Sequence, residues 1–304
     1  MTRNETRAQA DRRPMQRSAL SRLFSAAVFR ELATRGRSAL FSRLIVDAGL
    51  DRICDPEVTV GDVFDAAFDR LKIAGQRDEY VYRAAISHKI LMGTHSLRTA
   101  SMLTEFRAGT SKADLVILNG TATVYEIKSE RDSLARLKNQ IDDYRNIFAA
   151  VNVIASETHV DGVLATVPED VGVMCLSRTH RIQKKRTATE NPGRISPLAV
   201  LDSLRAAEAV TILKAQGVPV PEVANTRRHA MLRSLFAELD PATLHIEMVK
   251  TLKRTRNLAP LGDFLDDLPK SLQPAALAIR IRRGDQARLV AAVQTPLYVA
   301  STWR

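Results

Sequence analysis

Asp114 opens a short apolar run, Ala113 to Leu118, and Glu126-Ile127-Lys128 closes a second run that begins at Thr121. Side chains alternate along an extended strand, so Glu126 and Lys128 share one face while Tyr125 and Ile127 share the other. Two carboxylates and an ammonium gathered on one face suit metal-assisted hydrolysis of a phosphodiester. A hard divalent ion, Mg2+ with Mn2+ as a substitute, takes few carboxylates and otherwise waters and the substrate phosphate. Asp114 and Glu126 would be its ligands. The ion acidifies a bound water and offsets charge growing on the phosphate, and Lys128 orients that water. The plain alternative is a surface hairpin with ordinary charges, because an acid and a lysine separated by one residue are common in strands.

The elements around these residues decide whether they can meet. Asn119-Gly120 is a turn signal between two stretches rich in β-branched and apolar residues, so 113 to 127 reads as a hairpin. Asp114 joins Glu126 only if the two pair directly, which requires an odd-numbered loop around Asn119-Gly120. A tight two-residue turn would set Asp114 opposite Tyr125 and on the other face. Both registers remain open on sequence alone. Leu134, Leu137, Ile141, Tyr144 and Phe148 recur at helical spacing and predict an amphipathic helix from near Asp132 or Ser133, with Gln140 and Tyr144 one turn apart on one face. Asp78 to Met92 reads as a largely buried helix with Glu79 in its first turn. Met102 to Phe106, Val151 to Ala155 and Val171 to Leu176 read as strands, the last two separated by a short helix from His159 to Ala165.

Over residues 78 to 178 this segment resembles the PD-(D/E)XK nuclease superfamily, and within it looks like a poorly characterised bacterial family. Asp114 matches the first motif acid, Glu126-Ile127-Lys128 the second acid with its lysine, and Gln140 with Tyr144 the Q-x-x-x-Y helix of exonuclease-like branches. Lys112-Ala113 stands where the nominal motif has a proline. The resemblance implies a restriction-endonuclease-like α/β core, a central mixed sheet flanked by helices, with a helical N-terminal extension and a helical C-terminal region. It also implies catalytic roles for Asp114, Glu126, Lys128, Gln140 and Tyr144, and an additional metal ligand in Glu79. The expected function is a Mg2+-dependent nuclease acting on DNA, in genome defence, mobile-element biology or repair. A noncatalytic nucleic-acid-binding or interaction module on the same fold is the alternative, since a fold outlives its chemistry.

Composition agrees with a nucleic-acid partner. Forty-five Lys and Arg against 34 Asp and Glu leave a formal charge of +11 over 304 residues, which favours approach to phosphates, RNA as well as DNA. Part of the excess is Arg3, Arg7, Arg12, Arg13 and Arg17, in a segment 1–18 that reads as a solvated basic tail and has no secretory-signal pattern. No apolar run approaches the ~20 residues that span a bilayer. Cys54 and Cys175, far apart in the chain, read as thiols of a reducing cytoplasm. No phosphate-loop, nucleophile-elbow or dinucleotide glycine pattern is present, and the histidines lack paired metal-ligand spacing.

The predicted organisation is a helical lead-in and nuclease-like core over 19–180, a linker over 181–196 and a helical domain over 197–304. The linker rests on Lys184-Lys185-Arg186 and Asn191-Pro192-Gly193, with little apolar periodicity. Helices are expected over Leu20 to Ala33, Val63 to Ile73, from Ser196-Pro197 to Gly217, from Asp240-Pro241, and from Gln273-Pro274 through Arg280, Arg282 and Arg283. Lys112, Lys250, Lys253, Arg254 and Arg256 are the candidate phosphate contacts. The competing reading for the basic helices is a solvated face on a packing domain.

Overall fold

The protein is described by a computed structural model covering residues 14–304. Arg3, Arg7, Arg12 and Arg13 of the expected basic tail lie outside the described residues, whereas Arg17 sits in a regular helix, α1, over 14–23. Contacts divide the chain into two units: residues up to Ala84 with Leu261–Arg304, and Ala85–Pro260.

In the first unit α2 is Ala26–Arg35, α3 Ala39–Asp47 and α4 Val60–Leu71; α5, Glu79–Ile86, begins there, and its last residues and the π-type turn that continues it over Ser87–Leu91 belong to the second. Ser25, Ser38 and Thr59 each accept a backbone N–H of the helix that follows, and Asp62 returns the bond to Thr59. These caps correct two expectations. The helix expected over Leu20 to Ala33 is broken ahead of Ser25, and that expected over Val63 to Ile73 starts earlier, at its capping box.

The second unit carries a six-stranded mixed sheet in the order β1-β2-β3-β4-β5-β6. Its elements are β1 Ser101–Ala108, β2 Ser111–Asn119, β3 Thr121–Lys128, α6 Leu137–Arg145, β4 Ala150–Ala155, α7 Val160–Thr166, β5 Gly172–Leu176 and β6 Ile182–Arg186. Four helices follow: α8 Pro197–Ser203, α9 Ala206–Ala215, α10 Asn225–Ala237 and α11 Pro241–Thr255. β1, β2 and β3 are antiparallel, β3, β4 and β5 parallel, and β6 returns antiparallel to β5. Val116, Val124, Val151 and Val153 of the sheet share one buried cluster with Leu137 and Ile141 of α6 and with Ile212, Phe236, Leu244 and Met248 of α9, α10 and α11. Leu115, Ile117, Ile127 and Ile154 are buried as well, which is why these strands read as nearly continuous apolar runs.

Several boundaries differ from those expected. The helix expected from Asp132 or Ser133 begins at Leu137, because the Asp132 carboxylate is taken by the Ser129 N–H and hydroxyl, both at 2.7 Å, in the preceding turn. The single helix from Pro197 to Gly217 is two, because Glu208 accepts the Arg205 N–H and starts a second one. Residues 181–196 are not a linker. Ile182–Arg186 is the edge strand, Asn191 donates to the Ala149 carbonyl at 2.9 Å, and the Arg194 guanidinium reaches the carbonyls of Arg145, Phe148 and Ala149. Nor is 197–304 one domain, since 197–260 folds on the sheet and 261–304 belongs to the first unit.

That last stretch holds α12 Gly262–Asp266, α13 Gln273–Ala278, α14 Arg283–Val293 and α15 Leu297–Ala300. The helix expected to carry Arg280, Arg282 and Arg283 stops at Ala278, and Arg283 opens the next. Val60 donates to the Thr295 carbonyl at 2.9 Å, Ser42 to that of Ala300 at 2.7 Å and Tyr80 to that of Ser271 at 2.5 Å. Among the described residues no helix is long and apolar enough to cross a membrane. Cys54 and Cys175 form no disulfide.

Candidate active site

The β2–β3 hairpin closes with Asn119 opposite Thr121 and Gly120 alone at the tip, φ +74°. Glycine takes this left-handed conformation without a Cβ penalty. The pairing continues through Leu118↔Ala122 to Leu115↔Tyr125, so the next position along brings Asp114 opposite Glu126. This is the odd-numbered register. At that level the regular ladder ends, and the Ile127 N–H is taken by Asp114 Oδ2 at 2.7 Å instead of by a strand carbonyl.

Glu126 and Lys128 are buried, 2% and 6% exposed. Lys128 Nζ donates to Glu126 Oε1 at 2.8 Å and to Gln140 Oε1 at 2.9 Å, while Gln140 Nε2 donates to Glu126 Oε1 at 2.6 Å. The Tyr144 hydroxyl donates to Glu126 Oε2 at 2.7 Å and lies 2.9 Å from the Lys112 carbonyl oxygen. Burial, reinforced by the Glu126 charge, pushes the Tyr144 phenol far above its usual range, so it remains a donor. Gln140 and Tyr144, one turn apart on α6, thus meet the same carboxylate from one side, and the low dielectric strengthens each bond in this network. A buried charge pair of this kind is stable only because every polar atom is matched.

Glu105 had not been singled out from the sequence. Met102 to Phe106 was legible as a strand, but its partner was not. β1 pairs with β2 through Thr104↔Leu115 and Phe106↔Ala113, which brings Glu105 to the level of Asp114. Glu105 and Asp114 each offer a carboxylate oxygen within 4.8 Å of the other. The Glu105 backbone has φ +53°, a left-handed conformation that is rare for a residue with a side chain. Lys112 donates to Glu105 Oε2 at 2.9 Å, and that bond raises the lysine's pKa above its usual value. Glu79, the remaining metal candidate, belongs to the first unit, and Arg83 one turn along α5 forms an ion pair with it.

The basic candidates near the end of α11 are partly internal. Arg256 pairs with the buried Glu208 at 3.0 Å and lies 5.3 Å from the Phe106 ring centroid. Lys253 donates to the Thr99 carbonyl at 2.7 Å and Lys250 to Glu247 at 2.7 Å, while Arg254 is exposed. The same helix buries His245, whose Nε2 accepts the Ala122 N–H at 3.1 Å. Burial holds its pKa below the usual imidazole value, and Glu190 offsets this in part.

Comparison with known proteins overturns the resemblance to the PD-(D/E)XK superfamily. Its motifs occupy one hairpin and one helix and are individually common, whereas the family found extends over most of the chain. Protein cII of Enterobacteria phage P4 is 29% identical over 163 residues, covering 52% of this chain. The chain spans 59% of that relative's length. No solved structure matches. The model of the family described as bacteriophage P4 protein cII matches residues 73–266, and the chain belongs to that family.

Proposed function

We propose that the second unit hydrolyses phosphodiester bonds in DNA with the help of a divalent metal ion, in a mobile-element setting in keeping with a family named for a phage protein. The observation that carries this reading is Asp114 lying level with Glu126 where the β2–β3 ladder opens, with Lys128 bonded to Glu126. The donor set fits a hard ion, because it consists of carboxylate oxygens, two of them within 4.8 Å of each other on Asp114 and Glu105. Asp114, Glu126 and Glu105 would hold Mg2+ or Mn2+, which would acidify a water and offset phosphate charge. Lys128 holds a positive charge beside the carboxylates and orients the attacking water. Gln140 and Tyr144 each donate to Glu126 and so hold its carboxylate in one orientation. The order of helix, three strands, helix, strand, helix and strand fits a restriction-endonuclease-like core as an architecture, without membership of that superfamily.

One observation favours the noncatalytic reading: both Glu126 oxygens already have donors, in Lys128, Gln140 and Tyr144. A self-contained network of this kind also serves to specify the fold around a binding surface. Incubating the full chain with linear, circular and single-stranded DNA, in Mg2+, Mn2+ or EDTA, decides between them. Metal-dependent cleavage is the expected result; binding without cleavage under every metal condition overturns the hydrolytic reading.

A further inference from the structure

We propose that the cavity formed by β1, α8 and α10 seats a backbone phosphate of a single DNA strand next to the hydrolytic centre. The inference rests on the nuclease reading, whose substrate it places. The cavity is about 700 Å3, within the range of small-ligand sites, and is lined by Arg107 from β1 and by Arg228 and His229 from α10, with Leu204 and Leu232 as an apolar wall. Arg107 stands two residues beyond Glu105 on the same strand, so the cavity begins about 7 Å along β1 from the acidic row. That separation is near the length of one nucleotide in an extended strand.

The charges point to an anion. Arg107 and Arg228 have no ion pair or hydrogen-bond partner among the described residues, and both are exposed. The one carboxylate in the lining, Asp202, is matched by Arg233 at 3.1 Å and has His229 at 4.0 Å, so it does not cancel the arginines. α10 also begins without a side-chain cap and without an acid in its first turn. Cations at the positive end of a helix are mutually unfavourable until an anion offsets them. Arginines suit this role because a guanidinium grips phosphate oxygens in pairs, and the half-buried Leu204 beside them offers an apolar contact to a base.

The test is fluorescence anisotropy of a labelled oligothymidylate strand on the full chain in EDTA at physiological salt, where no cleavage occurs. The paired substitution Arg107→Glu/Arg228→Glu is set against Lys185→Glu/Lys214→Glu, which makes the same change of charge at exposed positions outside the cavity. All four sites are exposed, and circular dichroism checks that each variant folds. The cavity pair is expected to weaken binding by about tenfold or more and to flatten its salt dependence, with a much smaller effect from the control pair. Equal losses from the two pairs, no loss from either, tighter binding of a duplex than of the strand, or no binding by the unaltered protein overturns the proposal. Cavity-dependent binding with no cleavage in Mg2+ or Mn2+ sinks the hydrolytic reading alone. Cleavage that persists with unaltered affinity in the Arg107/Arg228 variant sinks the cavity alone.

Discussion

The Asp114 carboxylate accepts the backbone N–H of Ile127 at 2.7 Å, so the residue proposed as a metal ligand also ties β2 to the end of β3. The two roles separate by substitution. Asp114→Asn keeps an acceptor oxygen and should lose less than ~1 kcal/mol of stability, whereas Asp114→Ala orphans the amide at a cost of ~1–3 kcal/mol. Both should abolish Mg2+-dependent cleavage while leaving metal-free DNA binding intact or tighter, because each deletes a negative charge beside phosphate. Denaturant melts and a cleavage assay on the same samples check this. Retained cleavage in Asp114→Asn would remove Asp114 from the chemistry.

Lys128 and Glu126 should behave as a buried pair whose halves are unequal to their sum. Lys128→Ala leaves Glu126 with only Gln140 and Tyr144 as donors, and should cost ~3 kcal/mol as well as cleavage. In the combined Lys128→Met/Glu126→Leu variant much of that stability should return without any activity. A double-mutant cycle by chemical denaturation measures the coupling, and strict additivity would mean that the pair seen here does not form in solution.

Tyr144→Phe removes one donor from Glu126 Oε2 and leaves the ring packing against Phe148, whose centroid is 6.4 Å away. The expected loss is ~1–2 kcal/mol of stability. Cleavage should fall by about tenfold, short of the full loss expected at Asp114, because the phenol aims a carboxylate and does not touch the reacting atoms. Thermal unfolding alongside initial rates separates the two effects. A rate as low as that of Asp114→Ala would place Tyr144 in direct contact with substrate.

Glu208 predicts the acid limb of stability. Burial by itself raises its pKa, but the bonds from Arg256 and from the Arg205 N–H outweigh this and leave the carboxyl below its usual value. A depressed folded pKa contributes stability above the unfolded carboxylate range, lost as the pH falls through the lowered folded value. Glu208→Gln should therefore reduce stability at neutral pH by ~2–4 kcal/mol and flatten the decline on acidification. His245 acts in the same direction at higher pH. Its folded pKa is lowered, so protonation of the unfolded chain withdraws stability as the pH drops below the ordinary imidazole range. Urea midpoints measured from pH 7 down to about pH 2 test both, and a Glu208→Gln curve parallel to that of the unaltered protein would count against the ion pair.

The hairpin, α6 and the parallel strands were legible because alternation, the Asn119-Gly120 turn and the Leu137, Ile141, Tyr144 spacing are local signals. Glu105 was not, because its relation to Asp114 depends on which strand pairs with β2, and because a positive φ in a glutamate breaks the alternation from which a face is read. Helix limits failed where a side chain captured a backbone group, as Asp132 does for Ser129 and Glu208 for Arg205. Arg256 was read as a phosphate grip because its buried partner is 48 residues away in sequence. The superfamily resemblance failed for a related reason: a few well-spaced polar residues recur in unrelated chains and do not establish ancestry.

The return of 261–304 to the first unit also orders events during synthesis. Residues 85–260 can fold as soon as they emerge, whereas α3 and α4 must wait for the last stretch of chain. Until then Phe41 lacks Trp303, which lies 5.9 Å away between ring centroids, and Ser42 lacks the Ala300 carbonyl that it bonds. α3 and α4, made before the second unit, are therefore completed after it. In the interval their apolar faces are what a ribosome-bound chaperone would meet.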